Sequence, residues 1–271
     1  MPDGAAAPRA HWRDLGDGSV EALAVHCSLA HGGAWRGLAQ ALSGTVRLRA
    51  MDLPGHGKSP DWDGARPYPD VACDMLRAGM GNADGVHLIG HSFGGTVALR
   101  VAAEAPERIA SLTLIEPVFF TVARADHPEM FETGEEAVPP FRQALARGDT
   151  AEAARLFHGT WGDGRRWEDM EDHQREALIR RMPLIQAVED SNNADPAGIL
   201  AQGKLAHVRA PVLLIRGETS PDAIRLINDG LARRFPDARQ AVIAGAAHMA
   251  PITHPDAVAA EVRSLMAAFA A

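Results

Sequence analysis

Residues 90–95 read Gly90-His91-Ser92-Phe93-Gly94-Gly95, directly after the apolar run Val86-His87-Leu88-Ile89 and directly before a helical pattern. A serine between glycines at a strand-to-helix junction implies a sharp turn. Small neighbours leave room for the strained backbone, and the serine hydroxyl is lifted above the sheet. The helix that follows presents free N–H groups and partial positive charge to any negative charge developing beside Ser92. As a bare pattern, Gly-x-Ser-x-Gly recurs by chance; strand before and helix behind give it weight. The spacing predicts a strand over Val86–Gly90 and a helix over Gly94–Ala105. That helix ends near Glu104, because Pro106 disfavours helical geometry in the residue before it.

The same alternation extends to both sides. Strands are expected at Glu21–His26, Thr45–Met51, Ser111–Ile115, Val212–Arg216 and Gln240–Ile243, with a weaker one around His11–Leu15. Helices are expected at Trp35–Leu42, Asp70–Met80, Pro221–Arg234 and Pro255–Ala270. Strands alternating with helices predict an α/β fold, a mostly parallel central sheet with helices on its faces. Between about Val118 and Gly203 the alternation stops. That stretch reads as amphipathic helices at Pro139–Ala146, Thr150–His158, Trp167–Arg181 and Leu184–Asp190. It therefore divides the chain into a core, residues 1–117 and 204–271, and a helical cap, residues 118–203. Ligands of open parallel sheets bind at the carboxyl ends of the strands, so such a cap would shape the pocket. Trp161 and Trp167 are its candidate pocket residues.

Bulk properties exclude several classes. The 271 residues carry a net charge of −8 with no Lys/Arg cluster, which repels phosphate backbones and argues against nucleic acid. No window approaches the ~18 uninterrupted apolar residues of a membrane span. Met1–Ala10 lacks the apolar stretch of a secretory signal and is expected to be a frayed tail on a cytoplasmic protein. Cys27 and Cys73 match no metal or disulfide spacing and are expected to be reduced thiols. Nothing beside Cys27 would lower its pKa, so a structural thiol is expected rather than a competing nucleophile. His26, His31, His56, His87 and His91 are plentiful but do not share one helical face, and neither metal nor cofactor is expected. Asp52-Leu53-Pro54-Gly55-His56-Gly57 lacks phosphate-loop spacing and reads as a tight loop bordering the pocket. Nothing in the sequence sets an oligomeric state.

A serine at its ordinary pKa needs a base. Gly245-Ala246-Ala247-His248 follows the last strand, with small residues that let a histidine loop fold over the sheet edge. From about Glu21 onward the sequence resembles the α/β-hydrolase superfamily. The resemblance rests on Val25-His26-Cys27-Ser28, Asp52-Leu53-Pro54-Gly55-His56-Gly57-Lys58-Ser59, Gly90-His91-Ser92-Phe93-Gly94-Gly95 and Gly245-Ala246-Ala247-His248, in that order. It implies Ser92 as nucleophile, His248 as base, and the backbone N–H groups of Ser28 and Phe93 as an oxyanion hole. Relatives usually carry His-Gly where this chain has His26-Cys27. Cysteine lacks glycine's freedom at positive φ, so the loop is expected to stay in an ordinary backbone region.

The third member departs from the pattern. The superfamily normally carries its acid in a Gly-x-x-Asp segment after the strand matching Val212–Arg216, but here the segment is Gly217-Glu218-Thr219-Ser220. A hydroxyl cannot supply the charge that orients an imidazole, so Ser220→Ala is expected to cost little. Glu116, after the neighbouring strand, is the favoured acid, and Pro117 biases it toward extended geometry. Asp222 and Glu218 remain alternatives. The resemblance implies a serine hydrolase acting on an ester, thioester or lactone of a small molecule. The runners-up are a hydrolase of carbon–carbon bonds in β-diketone-like substrates and a catalytically silent ligand-binding protein.

Overall fold

The computed structural model describes residues 8–132 and 139–269. The start of the expected tail, residues 1–7, lies outside the described residues, as does Ala270 at the end of the expected last helix.

In chain order the elements are β1 (Trp12–Leu15), β2 (Val20–Val25), α1 (Arg36–Ala41), β3 (Val46–Met51), α2 (Tyr68–Met80), β4 (Val86–His91), α3 (Phe93–Glu104) and β5 (Ile109–Ile115). Five helices follow: α4 (Phe120–Asp126), α5 (Pro140–Ala146), α6 (Thr150–Trp161), α7 (Asp172–Ala187) and α8 (Glu189–Asn193). The sheet resumes with β6 (Val212–Gly217), α9 (Asp222–Ala232) and β7 (Ala238–Ile243), and α10 (Ala250–Thr253) and α11 (Pro255–Met266) complete the chain. The seven strands lie in the order β1-β3-β2-β4-β5-β6-β7. All pairs are parallel except β1 with β3.

Parallel strands covered on both faces need apolar residues at successive positions. Leu88, Leu112, Leu114, Val212 and Leu214 pack with α2, α3 and α9 on one face. Ile89, Ile115, Leu213 and Ile215 pack with α1 and α11 on the other. Chain order reverses at β2 and β4, which are neighbours, so the loops leaving their carboxyl ends face one crevice.

The stretch between β5 and β6 is helical and has its own apolar cluster of Phe141, Ala144, Ala153, Ala154, Met182 and Ile185. Two details differ from the sequence reading. Helix α4 had no predicted counterpart. The separate helices predicted at Trp167–Arg181 and Leu184–Asp190 are replaced by a short 3-10 turn at Trp167–Asp169 and one helix, α7. Pro183 sits inside α7, where it removes a backbone donor without ending the helix. Buried Met182 and Ile185, on either side of it, anchor that turn against the cluster.

Candidate active site

Ser92 forms the turn between β4 and α3 at φ 55°, ψ −122°, a left-handed backbone unusual for a residue with a side chain. The flanking glycines allow it. A Cβ on Gly90 would lie 2.4 Å from the Gly94 carbonyl oxygen, and one on Gly94 would lie 2.2 Å from that of Val25. The Ser92 N–H still extends the sheet, donating to the Ile115 carbonyl at 2.9 Å. Strain of this kind costs roughly 1–3 kcal/mol and persists only where the surroundings hold it.

His248 arrives on the loop between β7 and α10, with its ring in the crevice. Its Nε2 lies 2.9 Å from Ser92 Oγ and its Nδ1 lies 3.0 Å from Glu116 Oε2. An ionised carboxylate only accepts, so the ring proton sits on Nδ1 and leaves Nε2 to accept from the serine hydroxyl. All three side chains are buried. Burial opposes the charge on Glu116, yet hydrogen bonds from His248, Ser220 and the Gly217 N–H outweigh it and hold its carboxyl below the usual range.

The backbone of Glu116 differs from expectation. Pro117 suggested extended geometry, but Glu116 has φ 51°. Its N–H first continues the ladder to the Ile215 carbonyl at 2.8 Å. The turn then swings the carboxylate to the end of β6, where Oε1 accepts from the Gly217 N–H at 2.5 Å and from Ser220 Oγ at 2.6 Å. These bonds, with the one from His248, hold a backbone that Pro117 alone would not select. Ser220 therefore supports the acid instead of standing idle, which revises the expectation that its hydroxyl is dispensable.

Neither alternative acid reaches the ring. Asp222 binds Arg225 at the start of α9, at 2.7 and 3.0 Å. Glu218 accepts from the Gly245 N–H at 2.9 Å, at the base of the histidine loop.

The Ser28 and Phe93 N–H groups have no hydrogen-bond partner among the described residues, and both residues line one pocket with Ser92. The loop does not keep the ordinary backbone expected of it throughout: Cys27 does, but two residues on, Leu29 takes a left-handed φ of 66°. His56 holds it: Nδ1 donates to the Pro54 carbonyl at 2.8 Å, and Nε2 accepts the Leu29 N–H at 3.1 Å. His26 uses the same polarity, donating to the Cys27 carbonyl at 2.7 Å and accepting the Leu53 N–H at 3.0 Å. Burial pushes the Cys27 thiol up to about 12, the behaviour of a structural cysteine. Among the described residues no group of three His, Cys, Asp or Glu side chains could hold a metal.

Sequence reasoning missed His91 as a site residue. Its Nε2 lies 2.8 Å from the His248 carbonyl oxygen and tethers the backbone of His248. Burial takes its pKa down to about 3, so the ring is neutral. The motif itself carried the signal, since His91 directly precedes the serine.

Two pockets meet at Ser92, Ser28, Phe157, Trp161 and His248. The first has described lining residues that are all buried or half-buried. The second includes exposed Arg165 and Ile252. Of the two candidate tryptophans, Trp161 lines both pockets and meets the His248 ring edge-on at 4.7 Å between centroids. Trp167 packs against His158, with ring centroids 5.9 Å apart, and lines neither.

A parallel sheet with a strained serine at the switch point, bridged through histidine to a buried carboxylate, defines the class. The sequence profile of the alpha/beta hydrolase family matches residues 22–261, and the chain belongs to that family. It is a hydrolase of the esterase type. Its full-length relatives include the pimeloyl-[acyl-carrier protein] methyl ester esterase of Methylococcus capsulatus, 30% identical with 91% of this chain and 94% of the relative covered. The enzyme of that name from Nitrosomonas europaea is 27% identical, with 91% and 95% covered. The solved 2-hydroxy-6-oxo-6-phenylhexa-2,4-dienoate hydrolase of Rhodococcus sp. strain RHA1 shares the fold at a TM-score of 0.72 and 20% identity, with 95% of this chain and 94% of that one covered. Among the described residues no helix is long and apolar enough to cross a membrane.

Proposed function

We propose that Ser92, His248 and Glu116 form a catalytic triad that cleaves a carboxylic ester, thioester or lactone of a small molecule through an acyl-enzyme. The observation that carries this reading is the His248 ring, with Ser92 Oγ at 2.9 Å from one nitrogen and Glu116 Oε2 at 3.0 Å from the other. Ser92 Oγ attacks the carbonyl carbon as His248 Nε2 takes its proton. The carbonyl oxygen, now negative, accepts from the Ser28 and Phe93 N–H groups, while Glu116 stabilises the imidazolium. The Nε2 proton passes to the departing alkoxide, which leaves as alcohol. Water then gives a proton to Nε2 and its hydroxyl to the acyl carbon. The acid is released and Ser92 Oγ regains its proton.

The first pocket, lined by buried and half-buried residues, suits the acyl arm, which stays bonded to Ser92. The pocket bordered by exposed Arg165 and Ile252 suits the alcohol, which must depart. In this reading residues 118–203 act as a cap over a core of residues 1–117 and 204–271. The separate apolar cluster formed mostly by the insertion helices supports that division. A cytoplasmic location belongs to the same proposal, compatible with Cys27 and Cys73 as buried free thiols. The acyl-carrier-linked methyl ester named for the relatives is one candidate substrate.

Labelling by a fluorophosphonate probe, together with hydrolysis of p-nitrophenyl esters, tests the reading. Labelling and turnover that both vanish in Ser92→Ala support it, and turnover that survives unchanged refutes it.

A further inference from the structure

The first pocket is not apolar throughout. Phe120, Phe131, Phe141, Phe157, Trp161 and Val188 contribute apolar surface to its wall, but Arg124, Arg142, Glu189, Asn192 and Asn193 also line it. These polar residues all come from α4, α5 and α8, whereas Ser92 and His248 come from the core side. Arg142 pairs with Glu189 at 2.6 Å, bringing α5 against α8. Asn192 lies one helical turn beyond Glu189 and so faces the same way.

Two side-chain atoms of residues that line this wall are unsatisfied: Arg142 Nε, a donor, and Asn192 Oδ1, an acceptor, are buried without hydrogen-bond partners. Asn192 as a whole is 6% exposed. A buried polar atom without a partner costs free energy, so an unpaired donor and an unpaired acceptor on two residues that line one pocket leave hydrogen-bonding capacity for a guest once those side chains turn toward it. The terminal torsion of an asparagine is broad, so a modest turn of the amide presents its oxygen to an incoming group.

The charges already present argue that the guest is neutral. Arg142 and Glu189 satisfy each other. Arg124 lies over the Phe131 ring at 4.5 Å and its Nε donates to Asn193 Oδ1 at 3.3 Å. Burial outweighs the attraction of Arg142 and Arg124 and pushes the Glu189 carboxyl up, so the same burial disfavours a further negative charge here.

We propose that this polar wall receives a neutral group that both donates and accepts hydrogen bonds, a hydroxyl or a carboxamide, carried at the distal end of the substrate's acyl chain. The group accepts from Arg142 Nε and donates to Asn192 Oδ1 while the aromatic residues enclose the methylenes. The inference rests on the reading of Ser92 as the nucleophile with the acyl arm in this pocket.

The test is a series of p-nitrophenyl esters of straight-chain acids of graded length, ending in methyl, hydroxyl, carboxamide or carboxylate. At the length that spans the pocket, kcat/KM for the hydroxyl- or carboxamide-ended ester should exceed that for the methyl-ended one about tenfold, and the carboxylate-ended ester should be the poorest. Asn192→Leu should reverse the preference toward methyl. Arg142→Lys, which keeps the ion pair but lacks Nε, should reduce it and covers the case in which Asn192→Leu fails to fold. Methyl-ended esters winning at every length, or a hydroxyl preference unmoved by both variants, overturns the inference. Quenching of Trp161 fluorescence in Ser92→Ala, corrected against Trp161→Phe, reads the same preference from binding alone. Failure of hydrolysis with that binding preference intact would therefore fall on the Ser92 reading and leave this one standing.

Discussion

The Ser220 hydroxyl donates to Glu116 Oε1 across 2.6 Å, so the residue standing where the superfamily keeps its acid holds a carboxylate carried at the end of the neighbouring strand. Glu116→Gln keeps the shape of that arrangement and removes the charge. Its kcat should fall by several orders of magnitude, by analogy with a loss on the order of 10⁴ for neutralising a triad acid. Ser220→Ala should lower kcat about tenfold with little change in KM, one hydrogen bond to a charged group having been lost. Asp222→Asn should leave kcat near wild type. Steady-state kinetics on one activated ester decides all three, and an inactive Asp222→Asn beside an active Glu116→Gln would move the acid to α9.

Ser92→Ala should abolish turnover yet change stability by no more than about 1 kcal/mol, since a small hydroxyl is lost and the left-handed turn is kept. His248→Gln should be almost as inactive, because no other ring lies between Ser92 and Glu116. Denaturant melts alongside the kinetics check that neither effect is unfolding.

Stability should fall as the solution is acidified from neutrality. Burial holds His56 near a pKa of about 4 and His91 near about 3, and places His26 well below its usual value. In the unfolded chain these rings protonate at about pH 6.5. Below that pH and above the folded values the unfolded state binds more protons, so stability rises with pH across the window and is lost on acidification. Each ring contributes about 1.4 kcal/mol per pH unit. Urea midpoints between pH 7.5 and 5 should drop steadily, and a midpoint independent of pH would show that these rings are charged in the fold.

Trp161→Ala should shift the ratio of kcat/KM for long to short acyl chains by roughly tenfold, because it opens the wall shared by the two pockets. Trp167→Ala, on the outer side of the insertion, should leave the ratio where it was. Equal shifts from both substitutions would mean that the insertion acts through its overall stability rather than through its lining.

The strand runs were legible because parallel strands buried on both faces must be apolar at successive positions. Leu88-Ile89 and Leu213-Leu214-Ile215 show this, each alternating between the two packed layers. Ser92 was legible for a local reason: the left-handed turn and its close approach to the Val25 carbonyl need glycines beside it in sequence. The insertion was less legible. Two helices were expected where one runs, and packing of Met182 and Ile185 on the insertion's own cluster carries α7 through Pro183 despite its missing donor.

By itself, then, the sequence determined the α/β architecture, the serine at its switch point and the histidine that follows the last strand. Each of these depends on short-range rules of periodicity, turn sterics and order along the chain. Only the tertiary structure decided the rest. The carboxylate at position 116 reaches His248, 132 residues away in sequence, because β5 and β6 are neighbours, and its φ of 51° is held by groups from Gly217 and Ser220. The tether from His91 and the polar wall of Arg142 and Asn192 are likewise contacts between segments far apart in the chain. No local pattern encodes them, because their energy exists only once the sheet has brought those segments together.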